Sequence, residues 1–461
     1  FREFDGLQAI IGRLSRELGL VEGGDEEMVP GDSEAQRSSA KAGGALAKRF
    51  LIKSLLRASA LACYNGSEWT QSRLIFEGET EGLPKCLEAV FKQGKDLGSS
   101  VFALAATIMG DFLHHDPTCF PVIEKHGLPE AFLGSVKTSL VVTPDTVCCI
   151  PSTLVALCLN KKGLKAVQDS GALGQLASIF TNPAHCRSLQ GDTPSLLGNG
   201  LDELVRHVPE MKGKCIEVVF SIVDKILDVS EQLKEEQAAK AATNEGEASV
   251  PMETGAGAKA TEVYFDSMSE IVSNTARLLE ALLSNPAVAE AFVGGDGVRK
   301  LLKFYSIPVK SQTSTNIHQL FSTFRVLYSS HVRAKEVGTC LVKELEVLLE
   351  DWEGRNDHTR VCSYMLEDHL ARAASGDQAS GLRDRPTLGT LHALEGLLSL
   401  SGNLLRSSSM LVTGFSLDFS AKLLGLLGKF QSHMIWSSCL FEAVRKHRES
   451  REKEKQGECD G

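Results

Sequence analysis

The sequence predicts an all-α chain built as a solenoid of stacked helical repeats, with disordered loop insertions. Three observations carry this. A helix-entry phrase recurs in phase: Gly82-Leu83-Pro84-Lys85-Cys86-Leu87, Gly127-Leu128-Pro129-Glu130-Ala131-Phe132-Leu133 and Gly171-Ala172-Leu173-Gly174-Gln175-Leu176. Its glycines stand about 45 residues apart, the period of armadillo and HEAT repeats. Apolar residues follow each glycine at the 3/4 spacing of one helix face, and no sustained alternation of period two occurs. Looser copies begin at Gly6 and Gly297. A chain of 461 residues exceeds one ordinary core, but a solenoid grows in one dimension and escapes that limit.

The elements follow in order. Phe1 to Leu18 predicts an amphipathic helix or helix pair, with Leu7, Ile10, Ile11 and Leu14 on one face. Residues 21–45, rich in Gly, Glu, Asp, Ser and Ala, bury too little apolar surface to offset their ordering entropy and read as a disordered loop. Leu46 to Ala62 resumes as helix, with Phe50, Leu51, Leu55, Ala58 and Leu61 as its apolar positions. Arg49, Lys53 and Arg57 fall at i, i+4 and i+8 and form a basic stripe, a candidate contact for an acidic partner beside the plainer reading of a solvated face.

Leu83 to Phe91 and Val101 to Leu113 predict consecutive helices, the second apolar nearly all round and so needing cover on several sides. Thr153 to Leu159 is similar. The stacked turn signals Asn182-Pro183, Gly191-Asp192-Thr193-Pro194 and Gly198-Asn199-Gly200 predict a long loop over Thr181 to Gly200. Helical stripes return at Leu201, Leu204, Val205 and Val208, then at Ile216 to Leu227. Glu231 to Lys259 lacks an apolar repeat and reads as a linker. The resulting map is a first lobe over 1–230, a flexible linker over 231–260, a second helical lobe over 261–445 and a charged tail over 446–461. In the second lobe the stripes are Met268 to Leu283, Leu301-Leu302, Leu320 to Tyr328, Leu341 to Trp352, Leu391 to Leu398 and Leu423 to Leu440, with a polar loop at Ala371 to Pro386.

Composition bounds the chemistry. A net charge of -10 gives no overall pull toward nucleic acid or anionic membrane. The longest apolar run, Val101 to Met109, falls well short of the roughly 20 residues of a spanning helix. No secretory signal opens the chain, and a start on Phe1 is expected of a piece of a longer protein. The 12 cysteines show no C-x-x-C pair and most sit in apolar helical runs, as at Cys86, Cys158, Cys215 and Cys439, which suits a reducing cytoplasmic or nuclear compartment. No phosphate loop G-x-x-x-x-G-K-[ST] occurs, and Gly294-Gly295-Asp296-Gly297 reads as a repeat turn. His114-His115-Asp116 with Cys119, and His185-Cys186, lack zinc-ligand spacing. No G-x-S-x-G elbow places a nucleophile. Catalytic, cofactor and metal residues are therefore not assigned, and neither a small-molecule substrate nor a cofactor is expected.

Several phrases carry a resemblance: Phe102-Ala103-Leu104-Ala105-Ala106-Thr107-Ile108-Met109, Asp116-Pro117-Thr118-Cys119-Phe120, Gly127 to Leu133, Cys149-Ile150-Pro151, Leu157-Cys158-Leu159-Asn160, Gly163 to Val167, and Gly191-Asp192-Thr193-Pro194 leading to Gly200 to His207. Their order and spacing resemble the helical amino-terminal region of the giant HECT-type ubiquitin-protein ligases, chiefly the plant and green-algal members. The resemblance implies an armadillo-like solenoid that helps hold protein substrates, and the stripe at Arg49, Lys53 and Arg57 is then a candidate contact for ubiquitin's acidic patches as well as for another acidic partner. It places the ubiquitin-transferring lobe and its catalytic cysteine downstream of this segment, so neither has a counterpart here. Two function classes stay open: a non-catalytic scaffold segment of such a ligase, and a free-standing armadillo adaptor for protein–protein interaction.

Overall fold

The computed structural model describes residues 6–20, 34–64, 82–243, 256–307, 314–355, 385–407 and single positions between 421 and 446. Every regular element among them is helical. The chain divides into two compact units, Phe1–Ile222 with Arg277–Asn285, and Val223–Ala276 with Pro286–Gly461.

The first unit opens with α1 (Gly6–Glu17) and α2 (Glu34–Tyr64), then α3 (Gly82–Lys92), α4 (Gly94–Leu97) and α5 (Ser99–His115). Three-helix repeats follow: α6 (Phe120–Lys125), α7 (Leu128–Thr138) and α8 (Pro144–Cys158), then α9 (Lys161–Ser170), α10 (Gly174–Thr181) and α11 (Thr193–His207). Equivalent helices pack on one another, α3 on α7 and α5 on α8, then α8 on α11. Side chains lock this offset stacking. Ser135 Oγ donates to the Phe91 carbonyl at 2.7 Å, and the Phe91, Phe102 and Phe132 rings meet at centroid distances of 5.4 to 5.9 Å. Thr153 lies over Gly110 at ordinary van der Waals distance, whereas the Pro151 ring lies against Gly200, where a Cβ would come within 2.8 Å of it, so the missing side chain lets those two helices approach. Deep burial of Val101, Phe102, Ala105, Ile108 and Met109 gives α5 the cover that its apolar circumference requires.

The glycines of the recurring phrase all fall at helix junctions. Gly127 (φ 65°) precedes α7 and Gly171 (φ 68°) ends α9, both in the left-handed region that a Cβ disfavours. Gly6 and Gly82 begin α1 and α3.

α12 (Lys212–Thr243) and α13 (Ala256–Leu282) each cross the boundary between the units. The second unit continues with α14 (Pro286–Gly294), α15 (Gly297–Leu302), α16 (Ser314–Leu327), α17 (His331–Arg355) and α18 (Arg385–Ser407). Gly297 begins α15 against the Phe292 ring, with no room for a side chain, and Asp296 takes φ 64° before it. The Gly294–Gly297 run is a tight turn between helices. Thr323 Oγ1 donates to the Ala276 carbonyl at 2.9 Å, and Tyr305 stacks on Phe324 at 6.3 Å.

Three sequence expectations are corrected. Residues 34–45 of the predicted loop 21–45 are the first turns of α2, because Ala, Arg, Gln and Lys there support a helix once Ile52 and Leu56 anchor its later turns in the core. Thr181 to Gly200 is a 3-10 helix (Pro183–Leu189), a Gly191 turn at φ 69°, and the start of α11, with Pro194 in its first turn. The Pro and Gly signals there mark helix ends rather than a long loop. The predicted linker 231–260 is entered from both sides by helix, to Thr243 and from Ala256, and the division between units falls instead at Ile222/Val223. Phe50 and Leu61, two of the apolar positions of Leu46 to Ala62, face solvent. The expected polar loop at 371–386 lies almost wholly outside the described residues, as do Cys439, Leu423, Leu427, Trp436, Leu440 and nearly all of the tail 446–461; Leu424 is exposed.

Candidate functional site

The predicted basic stripe lies on α2. Ile52, Leu56 and Ser59 are fully buried and fix the inner face of this helix. At about 100° per residue, Leu46, Phe50, Lys53, Arg57 and Leu61 then share an arc of roughly 80° on the opposite side, with Arg49 at its edge. Leu46, Phe50 and Leu61 are 55%, 64% and 69% exposed, values that make them a surface rather than a seam. Arg49 and Arg57 are exposed and Lys53 is half-buried. Among the described residues none of Lys48, Arg49, Lys53 and Arg57 has a carboxylate partner.

The i, i+4, i+8 stripe drifts by about 40° at each step, because 3.6 residues per turn do not divide four. Arg49 therefore borders the buried face, whereas Arg57 stands between the exposed apolar side chains. The spacing of the three cations is legible in the sequence, whereas Phe50 and Leu61 are legible there only as apolar positions of this helix. The signal that could have located them is the second apolar set, Ile52 and Leu56, whose face competes with theirs.

The remaining polar clusters have structural roles. Asp116 caps the 3-10 turn Pro117–Cys119, with Oδ1 accepting from the Thr118 amide at 3.0 Å. No group of three His, Cys, Asp or Glu side chains among the described residues is arranged to hold a metal. Burial pushes Asp111 up against the opposing pull of His115 and His114, and burial pushes His185 down. Cys149, Cys158 and Cys215 are pushed up to about 12, chiefly by burial, which keeps them thiols at neutral pH. No helix among the described residues is long and apolar enough to cross a membrane.

A shallow cleft of about 260 Å³ in the first unit is floored by Val167, Leu173, Met211 and Val218, with Lys214 and Glu217 ion-paired at its rim. Its charges are already matched, in contrast to those on α2.

Stacked equivalent helices define a helical-repeat protein with core thiols and, on α2, a cationic and partly apolar exposed face. The chain belongs to the family described as Domain of Unknown Function (DUF913), which it matches over residues 1–312. It is 31% identical over 430 residues to E3 ubiquitin-protein ligase UPL2 of Arabidopsis thaliana and 32% identical over 433 residues to UPL1 of the same plant, covering 87% of this chain in each case. Similarity to E3 ubiquitin-protein ligase ptr1 of Schizosaccharomyces pombe is 32% over 178 residues, 38% of this chain and 5% of that relative. The chain spans 11% of the length of each plant relative. Homology thus joins it to ubiquitin ligases, in agreement with the resemblance carried by its motifs.

Proposed function

We propose that this chain is a non-catalytic scaffold segment of a HECT-type ubiquitin ligase that holds protein substrates for ubiquitination in the cytoplasm or nucleus, with Arg49, Lys53 and Arg57 contributing to partner capture. The observation that carries the reading is the similarity over 87% of the chain to proteins named E3 ubiquitin-protein ligases. Arg49, Lys53 and Arg57 have no carboxylate partner among the described residues, which supports the capture role, since an acidic partner would complete such pairs. The core thiols make poor nucleophiles, which suits a holding rather than a transferring part.

The second reading, a free-standing adaptor, draws on the fold class alone, which does not by itself choose a function. In-frame deletion of the codons for residues 1–461 separates the two. In a ligase, a shortened product would keep its self-ubiquitination and lose modification of substrates. Loss of the whole product would favour the adaptor, and full retention of substrate modification would end the scaffold reading.

A further inference from the structure

We infer that the outer face of α2 is a composite docking site whose occupant is an acidic, amphipathic helical segment of a protein partner. The inference rests on the partner-capture reading above and deepens it by naming what is captured. α2 carries six basic residues, Arg37, Lys41, Lys48, Arg49, Lys53 and Arg57, and no carboxylate after Glu34, within a chain whose net charge is -10. A basic helix in an acidic protein is a local feature, and it attracts acidic groups that the net charge of the chain does not.

Charge alone would suit many polyanions, but the exposed apolar side chains narrow the choice. Leu46, Phe50 and Leu61 lie along about 22 Å of helix, at 1.5 Å per residue over 15 residues. That is the length of roughly four turns of a facing helix. Exposed apolar side chains in line on one helix face mark an interaction surface more often than scattered ones do. A facing helix with apolar residues at i, i+4 and about i+15 would cover Leu46, Phe50 and Leu61, while its flanking Asp or Glu side chains reach Arg49, Lys53 and Arg57. Nucleic acid leaves the apolar row uncovered. An anionic bilayer would bring the whole of this negatively charged chain near an extended anionic surface, whereas a single helix meets only the α2 face.

The test is a display library of helical 16-mer peptides selected on the intact chain, with enriched peptides then titrated against wild type and two double variants, F50S/L61S and K53E/R57E. All four side chains lie on the outer face, and unchanged thermal unfolding would confirm that the variants remain folded. The expected result is enrichment of Glu- and Asp-rich peptides with apolar residues at i and i+4. Binding should weaken at least tenfold in each variant, and only the apolar variant should keep the salt dependence. Enriched peptides that bind F50S/L61S as well as wild type would overturn the composite site. So would the absence of acidic amphipathic sequences, or binding to phosphatidylserine-containing vesicles without binding to such peptides. The deletion assay is independent: substrate modification lost on deletion but retained in both variants would sink this site and leave the scaffold reading intact.

Discussion

The Cys119 thiol donates to the Asp116 carboxylate, with Sγ 3.0 Å from Oδ2. Cys119 is fully buried, so its sulfur is out of reach of an incoming carrier. The sequence Thr118-Cys119-Phe120 superficially resembles the Thr-Cys-aromatic step around a HECT nucleophile, yet its environment is that of a packed structural thiol. The chain is expected to form no reductant-sensitive ubiquitin adduct when incubated with activating enzyme, carrier enzyme and labelled ubiquitin. An adduct abolished by Cys119→Ser, and by no other cysteine change, would make this segment an enzyme.

The same burial governs alkylation. With thiols pushed up to about 12, Cys149, Cys158 and Cys215 hold on the order of one thiolate in ten thousand at pH 8. Iodoacetamide followed by mass spectrometry should leave these three unmodified in the native chain and label them in urea. Rapid native labelling of Cys158 would contradict the packing of α8.

Glycines at close approaches should respond oppositely to glycines with space. A Cβ on Gly163 would meet the Phe120 ring at 2.7 Å as well as the Leu157 carbonyl, and one on Gly198 would lie 2.7 Å from both Ala281 Cβ and the Leu278 carbonyl oxygen. Gly163→Ala and Gly198→Ala are each expected to lower stability by about 1–3 kcal/mol. Gly134, inside α7 with nothing within 4 Å of its Cβ position, should gain about 0.5–1 kcal/mol on replacement by Ala. Urea melts of the three variants check both signs.

Phe132 is fully buried between Phe91 and Phe102. Phe132→Ala removes the ring that joins α7 to α3 and α5, and is expected to destabilise the chain by about 3–5 kcal/mol. Denaturant titration measures the loss; a change under 1 kcal/mol would mean that the aromatic cluster does not hold the repeat offset.

Histidines supply a pH dependence of defined sign. His126 is pushed down by burial, then by Lys125 and Lys85, and His185 by burial. Their folded-state affinity for protons lies below that of the unfolded chain, so protonation favours unfolding as pH falls through the unfolded value of about 6.5. The contribution is present above that pH and lost below it. Asp111 and Glu344, pushed up by burial, act in the opposite sense at lower pH. The double variant H126Q/H185Q should therefore lose less stability than wild type between pH 7.5 and 5.5, measured as the shift in urea midpoint.

Helix registers were readable because apolar spacing of three and four has few alternatives, and repeat phase was readable because Gly127 and Gly171 need left-handed backbone that few other residues accept. The extent of helices was less so. Residues 34–45 and 231–243 carry little apolar signal of their own and continue helices anchored mainly elsewhere, at Ile52 and Leu56 and at Val218 to Ile226, with Leu233 buried as well. Propagating an existing helix needs far less local support than nucleating one.

The candidate site shows the same division. The sequence alone determined an all-helical chain, its period of about 45 residues, its kinship to ubiquitin ligases and the presence of three cations in line on α2. Only the tertiary structure decided which of two apolar faces of α2 is covered. Ile52 and Leu56 go inward and leave Leu46, Phe50 and Leu61 beside Arg57 in solvent. Periodicity reports that a face exists, but whether it is buried depends on which neighbouring helices reach it, and those contacts come from residues far away in the chain.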